Sequence, residues 1–104
     1  MFTELNSDTL QSVIDKEKVV VVQYSAGWCG NCRIMKPKFK RFANEYPDAE
    51  FILIDAEKNP VSRGLANVNN LPTFAVFKDG VFVDQIQTNK TDSLKSFIDE
   101  VAGN

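Results

Sequence analysis

Apolar positions along the chain follow two periods, and the switches between them mark the elements. Val19-Val20-Val21-Val22 is a run of four β-branched residues, and Phe51-Ile52-Leu53-Ile54 is a second apolar run without alternation. Such runs suit strands covered on both faces, as in a parallel sheet with helices on each side. Thr73-Phe74-Ala75-Val76-Phe77 and Val81-Phe82-Val83 flank Lys78-Asp79-Gly80, whose Asp-Gly chemistry predicts a tight antiparallel hairpin. Phe2 to Leu5 has the length of a short edge strand.

Helical spacing fills the gaps. Leu10, Val13 and Ile14 predict a first helix over residues 8–16, behind the capping residues Asn6, Ser7 and Asp8 and ended by Lys16-Glu17-Lys18. Cys32, Met35, Phe39, Phe42, Ala43 and Tyr46 predict a second over residues 30–45, closed at Tyr46-Pro47. Pro37 lies inside it and is expected to kink it. Asn59 as cap and Pro60 at the first helical position start a short helix with Val61 and Leu65 as its apolar face. Thr91 or Asp92 caps a last helix, where Leu94, Phe97, Ile98 and Val101 fall at i, i+3, i+4 and i+7. The order β-α-β-α-β-α-β-β-α predicts an α/β fold with a mixed central β-sheet flanked by helices on both faces. Its parallel part is joined by right-handed crossovers, and a single domain spans residues 1–104.

Charge and composition narrow the partners. Twelve basic residues against fourteen acidic ones give a net charge of −2, so neither nucleic acid nor an anionic membrane is expected as a partner. A hydrophobic content of 43% supports one ordinary core without covalent staples. Met1-Phe2-Thr3-Glu4 has no basic segment followed by an apolar one, and the longest apolar run is too short for a bilayer. The expected compartment is cytoplasmic. Histidine is absent, which removes Cys-His catalysis and every zinc site that needs imidazole. Arg33, Lys36, Lys38, Lys40 and Arg41 read as a solvated helix face in preference to a docking patch.

The candidate chemistry lies at Trp28-Cys29-Gly30-Asn31-Cys32, which holds the only Trp and both Cys residues. It follows the valine strand across the small residues Ser25-Ala26-Gly27, at the strand end where α/β sheets collect their sites. Two cysteines at this spacing can form a reversible disulfide, make half of a metal site, or simply pack. Strand parity puts Gln23 on the face of Val19 and Val21, so it is expected to be buried and in need of hydrogen-bond partners.

Together these residues resemble the thioredoxin family. Trp28-Cys29-Gly30-Asn31-Cys32 is similar to its active site, and Pro37, five residues after the second cysteine, to its kink proline. Leu71-Pro72-Thr73-Phe74 resembles the segment carrying its cis-proline, and Lys78-Asp79-Gly80 its closing hairpin. Three positions depart from the pattern: Gln23 stands where typical members have a buried acid, Asn31 replaces a proline, and Thr88-Asn89 replaces a usual glycine. The resemblance implies the thioredoxin fold and a thiol-disulfide oxidoreductase that reduces protein disulfides. It implies disulfide-containing client proteins, a thioredoxin reductase-type electron donor, a monomer, and no cofactor or metal beyond the Cys29–Cys32 pair.

On this reading Cys29, at a helix start, is the accessible attacking thiolate, and Cys32, on the apolar stripe, is the buried resolving thiol. A static disulfide or two buried thiols is the bland alternative. Gly30 leaves room for a substrate backbone or is a plain turn glycine. Trp28 makes an apolar contact beside the cysteines or packs in the core. Pro72 is cis by resemblance, or a trans proline at a strand start, and with Leu71 and Thr73 it would pair with an extended substrate. Gln23 cannot ionise, so resolution is expected to be slower than with an acid, or to use Glu57 or water as base. Asn31 adds a backbone N–H near Cys29 and is expected to make the pair more oxidising. The competing functions are a redox-inactive binding module, a more oxidising exchange protein, and, last, a metal site.

Overall fold

The valine run lies in the middle of the sheet. In the computed structural model, which describes residues 1–103, strand β2 (Val19–Ser25) is flanked on one side by β3 (Glu50–Asp55), parallel to it. On the other side lies β4 (Thr73–Lys78), antiparallel to it. β1 (Phe2–Leu5) adds to β3 in parallel, and β5 (Val81–Gln87) adds to β4 in antiparallel, giving the order β1-β3-β2-β4-β5. Both faces of β2 are covered. Val21 packs with Met35 and Phe39 of α2 (Gly30–Phe42) and with Leu94 and Ile98 of α4 (Thr91–Val101). Val20 and Val22 pack with Leu10 and Ile14 of α1 (Leu10–Lys16) and with Ile52 and Ile54. This double cover is why the run carries no alternation.

Aromatic residues fix α2 to the sheet. The Phe39 ring centre lies 5.1 Å from that of Phe51, 5.8 Å from that of Phe74 and 6.1 Å from that of Phe2. At the β4–β5 hairpin Asp79 and Gly80 both have positive φ, 51° and 81°, the requirement of a type I′ turn. β5 forms the outer edge, and Val81, Phe82 and Val83 are exposed on it.

The helix ends differ from the sequence expectations. α1 starts at Leu10 with no side-chain cap, because Asp8 serves another helix. Its carboxylate accepts from the N–H groups of Val61 (3.0 Å) and Ser62 (2.7 Å), at the start of α3 (Pro60–Arg63). The Leu10 N–H in turn donates to Ser62 Oγ at 3.2 Å. Asn59 occupies the α3 cap position with Pro60 at the first helical position, as expected, but its side chain makes no capping bond and donates from Nδ2 to the Asp55 carbonyl at 2.8 Å. Val61 is exposed and forms no apolar face; a four-residue helix has one inward position here, and Ser62 takes it. α2 ends at Phe42, and a 3₁₀ turn over Ala43–Glu45 completes the predicted length. Thr91 and Asp92 lie inside α4, whose cap position is Lys90 with no side-chain bond. The Lys90 N–H is donated to Thr88 Oγ1 at 3.0 Å.

Candidate active site

β2 ends at Ser25, and the chain crosses Ala26-Gly27-Trp28 before turning into α2 with Cys29 as the N-cap residue. Cys29 and Cys32 form a disulfide, with their Cα atoms 5.2 Å apart. The Cys32 N–H donates to Cys29 Sγ at 3.1 Å, so the sulfur takes the place of the oxygen of a capping side chain. An amide aimed at the sulfur and the positive end of a 13-residue helix both favour a thiolate on Cys29 once the disulfide is reduced. Cys32 continues the buried stripe of Met35, Phe39 and Phe42. The expected contrast in accessibility is small in the disulfide form: Cys29 is 5% exposed and Cys32 3%. Both are covered by packing with Ala26 and Leu71.

Leu71 therefore joins the cysteines although some forty residues of chain separate them, and the Leu71–Pro72 peptide bond is cis. Pro72 and Thr73 are buried, and the Thr73 hydroxyl donates to the Asn70 carbonyl at 2.6 Å. The Thr73 hydroxyl hydrogen is thus spent within its own loop. Gly30 is exposed, and a Cβ added there would meet nothing within 4 Å, so open space lies beside the disulfide. Asn31 is exposed on the first turn of α2.

Trp28 is not a core residue. It is 68% exposed, and its indole N–H donates to Glu57 Oε1 at 2.9 Å. The same bond holds the Glu57 carboxylate at the surface beside the indole. The loop of small residues leaves Trp28 no inward position.

Gln23 is buried, as parity predicts, with 0% exposure. Its Nε2 donates to Ser25 Oγ at 3.0 Å and to the Cys32 carbonyl at 3.2 Å, while its Oε1 has no partner. Ser25 was not singled out from the sequence. Its place two residues after Gln23, hence on the same strand face, is the signal that finds it. On the β1–β3 side of the disulfide lies a cleft of about 530 Å³. Ser25, Cys29 and Cys32 line it together with Arg33, Lys36 and Lys58. Among the described residues no group of three or more His, Cys, Asp or Glu side chains stands together to hold a metal ion, and no helix is long and apolar enough to cross a membrane.

Comparison with known proteins agrees with this arrangement. The thioredoxin family model matches residues 1–100. The chain is 36% identical over 81 residues to thioredoxin-1 of Schizosaccharomyces pombe, covering 78% of this chain and 79% of that protein. It is 34% identical over 82 residues to a thioredoxin of Mycoplasma genitalium, covering 78% and 80%. The fold superposes on Plasmodium falciparum thioredoxin with a TM-score of 0.88 at 27% identity, covering 94% of this chain and 97% of the other. The Cys29–Cys32 disulfide at the start of α2, beside a cis Leu71–Pro72 bond, therefore sits in a thioredoxin fold, and the chain belongs to the thioredoxin family as a thiol-disulfide oxidoreductase.

Proposed function

We propose that this oxidoreductase acts as a reductant of protein disulfides in the cytoplasm, with Cys29 attacking and Cys32 resolving. The Cys29 thiolate attacks one sulfur of a client disulfide and releases the other as a thiolate, leaving a mixed disulfide. Cys32 then loses its proton, attacks the Cys29 sulfur and expels the second client sulfur. The client gains two electrons and the pair becomes the Cys29–Cys32 disulfide, which a thioredoxin reductase-type donor reduces again. The Cys32 N–H held on Cys29 Sγ at 3.1 Å carries the assignment, because it favours the thiolate at Cys29.

Leu71, Pro72 and Thr73 supply the wall on which an extended client segment pairs, through backbone groups, and Gly30 leaves that segment room. Trp28 offers it an exposed aromatic face. The client class has a parallel in a structural neighbour described as part of the thiol-resolving mechanism of a yeast mitochondrial 1-Cys peroxiredoxin via glutathione/thioredoxin systems. The protein works as a monomer on protein clients, without nucleic acid, membrane, metal or a cofactor beyond its disulfide. Reduction of insulin disulfides with a chemical recycling reductant tests the activity. Cys32→Ser should accumulate a mixed disulfide at Cys29; a Cys32→Ser protein that turns over like wild type would refute the assigned order.

A further inference from the structure

The resolving step needs somewhere for the Cys32 proton to go, and the group beneath the disulfide cannot take it. Gln23 does not ionise, and both bonds from its Nε2 are spent on Ser25 Oγ and the Cys32 carbonyl. The charged groups lining the cleft on the Cys32 side are Glu4, Arg33, Lys36, Asp55 and Lys58. Glu4 is held by Lys36 at 2.8 Å, and Asp55 Oδ1 accepts from the N–H groups of Glu57 and Lys58 at 2.8 and 2.9 Å. Arg33 donates to the Gly27 carbonyl at 3.3 Å. Ser25 differs from all of these. Its oxygen accepts from Gln23, so its own hydrogen is directed away from the amide, and the residue lines the same cleft as Cys32.

We propose that Ser25, oriented by Gln23, is a positioning residue for the resolving step: its hydroxyl holds a cleft water that takes the proton from Cys32. A water accepting from Ser25 keeps a second lone pair for the Cys32 thiol. As that proton passes to solvent, the Cys32 sulfur forms the bond to Cys29 and the client thiolate leaves with the electron pair of the broken bond. The Gln23–Ser25 pair thus does by hydrogen bonding what a buried acid would do by ionising. The proposal rests on Cys29 attacking and Cys32 resolving.

The test is stopped-flow reaction of the reduced protein with dithiobis(nitrobenzoate). Attack releases one coloured thiolate in a second-order phase, and resolution releases the other in a first-order phase. Ser25→Ala should slow the first-order phase about fivefold, as fits the loss of one hydrogen bond, and move its pH midpoint upward. Ser25→Thr, which keeps the hydroxyl, should restore both. An unchanged first-order phase in Ser25→Ala overturns the proposal, and so does Ser25→Thr as slow as Ser25→Ala, since the effect would then be structural. Release of the second thiolate by Cys32→Ser would instead refute the underlying order of the cysteines, so the two failures are distinguishable.

Discussion

Gln23→Asp places an acid at a fully buried polar position beneath the disulfide, and its cost can be worked from the surroundings. The wild-type side chain has 0% exposure and gives two N–H donations, to Ser25 Oγ and to the Cys32 carbonyl. An ionised carboxylate can make neither donation and would face the carbonyl oxygen as a like partial charge. Only Ser25 can turn its hydroxyl to help. Burial without a cationic partner raises a carboxyl pKa above its ordinary value, and an uncompensated charge at such a site costs about 3–5 kcal/mol. The sign follows from the raised folded value. Relative to wild type the variant keeps its best stability below the unfolded pKa, and loses about 3–5 kcal/mol of it as pH rises through the folded one. Urea unfolding of the oxidised protein and the variant between acid and mildly alkaline pH measures the difference. A difference that stays flat above pH 5 would refute the reasoning, because the carboxyl would then be ionising as though in water.

Three further outcomes follow from other parts of the fold. The Asp8 carboxyl is held below its usual pKa by its hydrogen bonds to Ser62, so its contribution is present above the unfolded value and lost as pH falls through the lower folded one. The stability gap between wild type and Asp8→Asn should therefore shrink on acidification in urea titrations, and a constant gap contradicts the cross-cap. Trp28→Ala removes an exposed ring, so unfolding stability should stay within about 0.5 kcal/mol of wild type while kcat/KM for protein disulfides falls. A loss well beyond that would place the indole in the core after all. Phe39→Ala, beneath Phe2, Phe51 and Phe74, should cost about 3–5 kcal/mol in the same assay, and a loss under 1 kcal/mol would deny that these rings anchor α2.

Patterning revealed the elements whose burial is two-sided or strongly periodic. Val19 to Val22, Phe51 to Ile54, the stripe from Cys32 to Phe42 and the Asp79-Gly80 turn all read correctly because one local rule governs each. The caps did not, because they are decided between segments. Asp8 looks like a cap for the helix that follows it, yet its carboxylate caps α3 more than fifty residues away. Asn59 holds the cap position of α3 as expected but leaves the capping bonds to Asp8, and Val61 faces solvent because the residue that faces inward from α3 is Ser62, bonded to Leu10 and Tyr24. In the site, spacing indicated the cysteines and parity indicated the burial of Gln23. The proline loop needed the resemblance, since nothing local says that Leu71 packs on Cys29 and Cys32. Glu57 and Trp28 show the limit of sequence distance, for their pairing at the surface depends on where the loop after β3 ends.

The central claim is that Cys29 and Cys32 form a reversible couple poised to reduce protein disulfides. Its most direct test is the equilibrium potential of that couple, measured by quantifying reduced and oxidised protein in glutathione buffers of defined ratio. A potential of about −270 mV is predicted, with Asn31→Pro below the wild-type value. A potential near about −120 mV would mean that the protein runs as an oxidant, and would contradict the account.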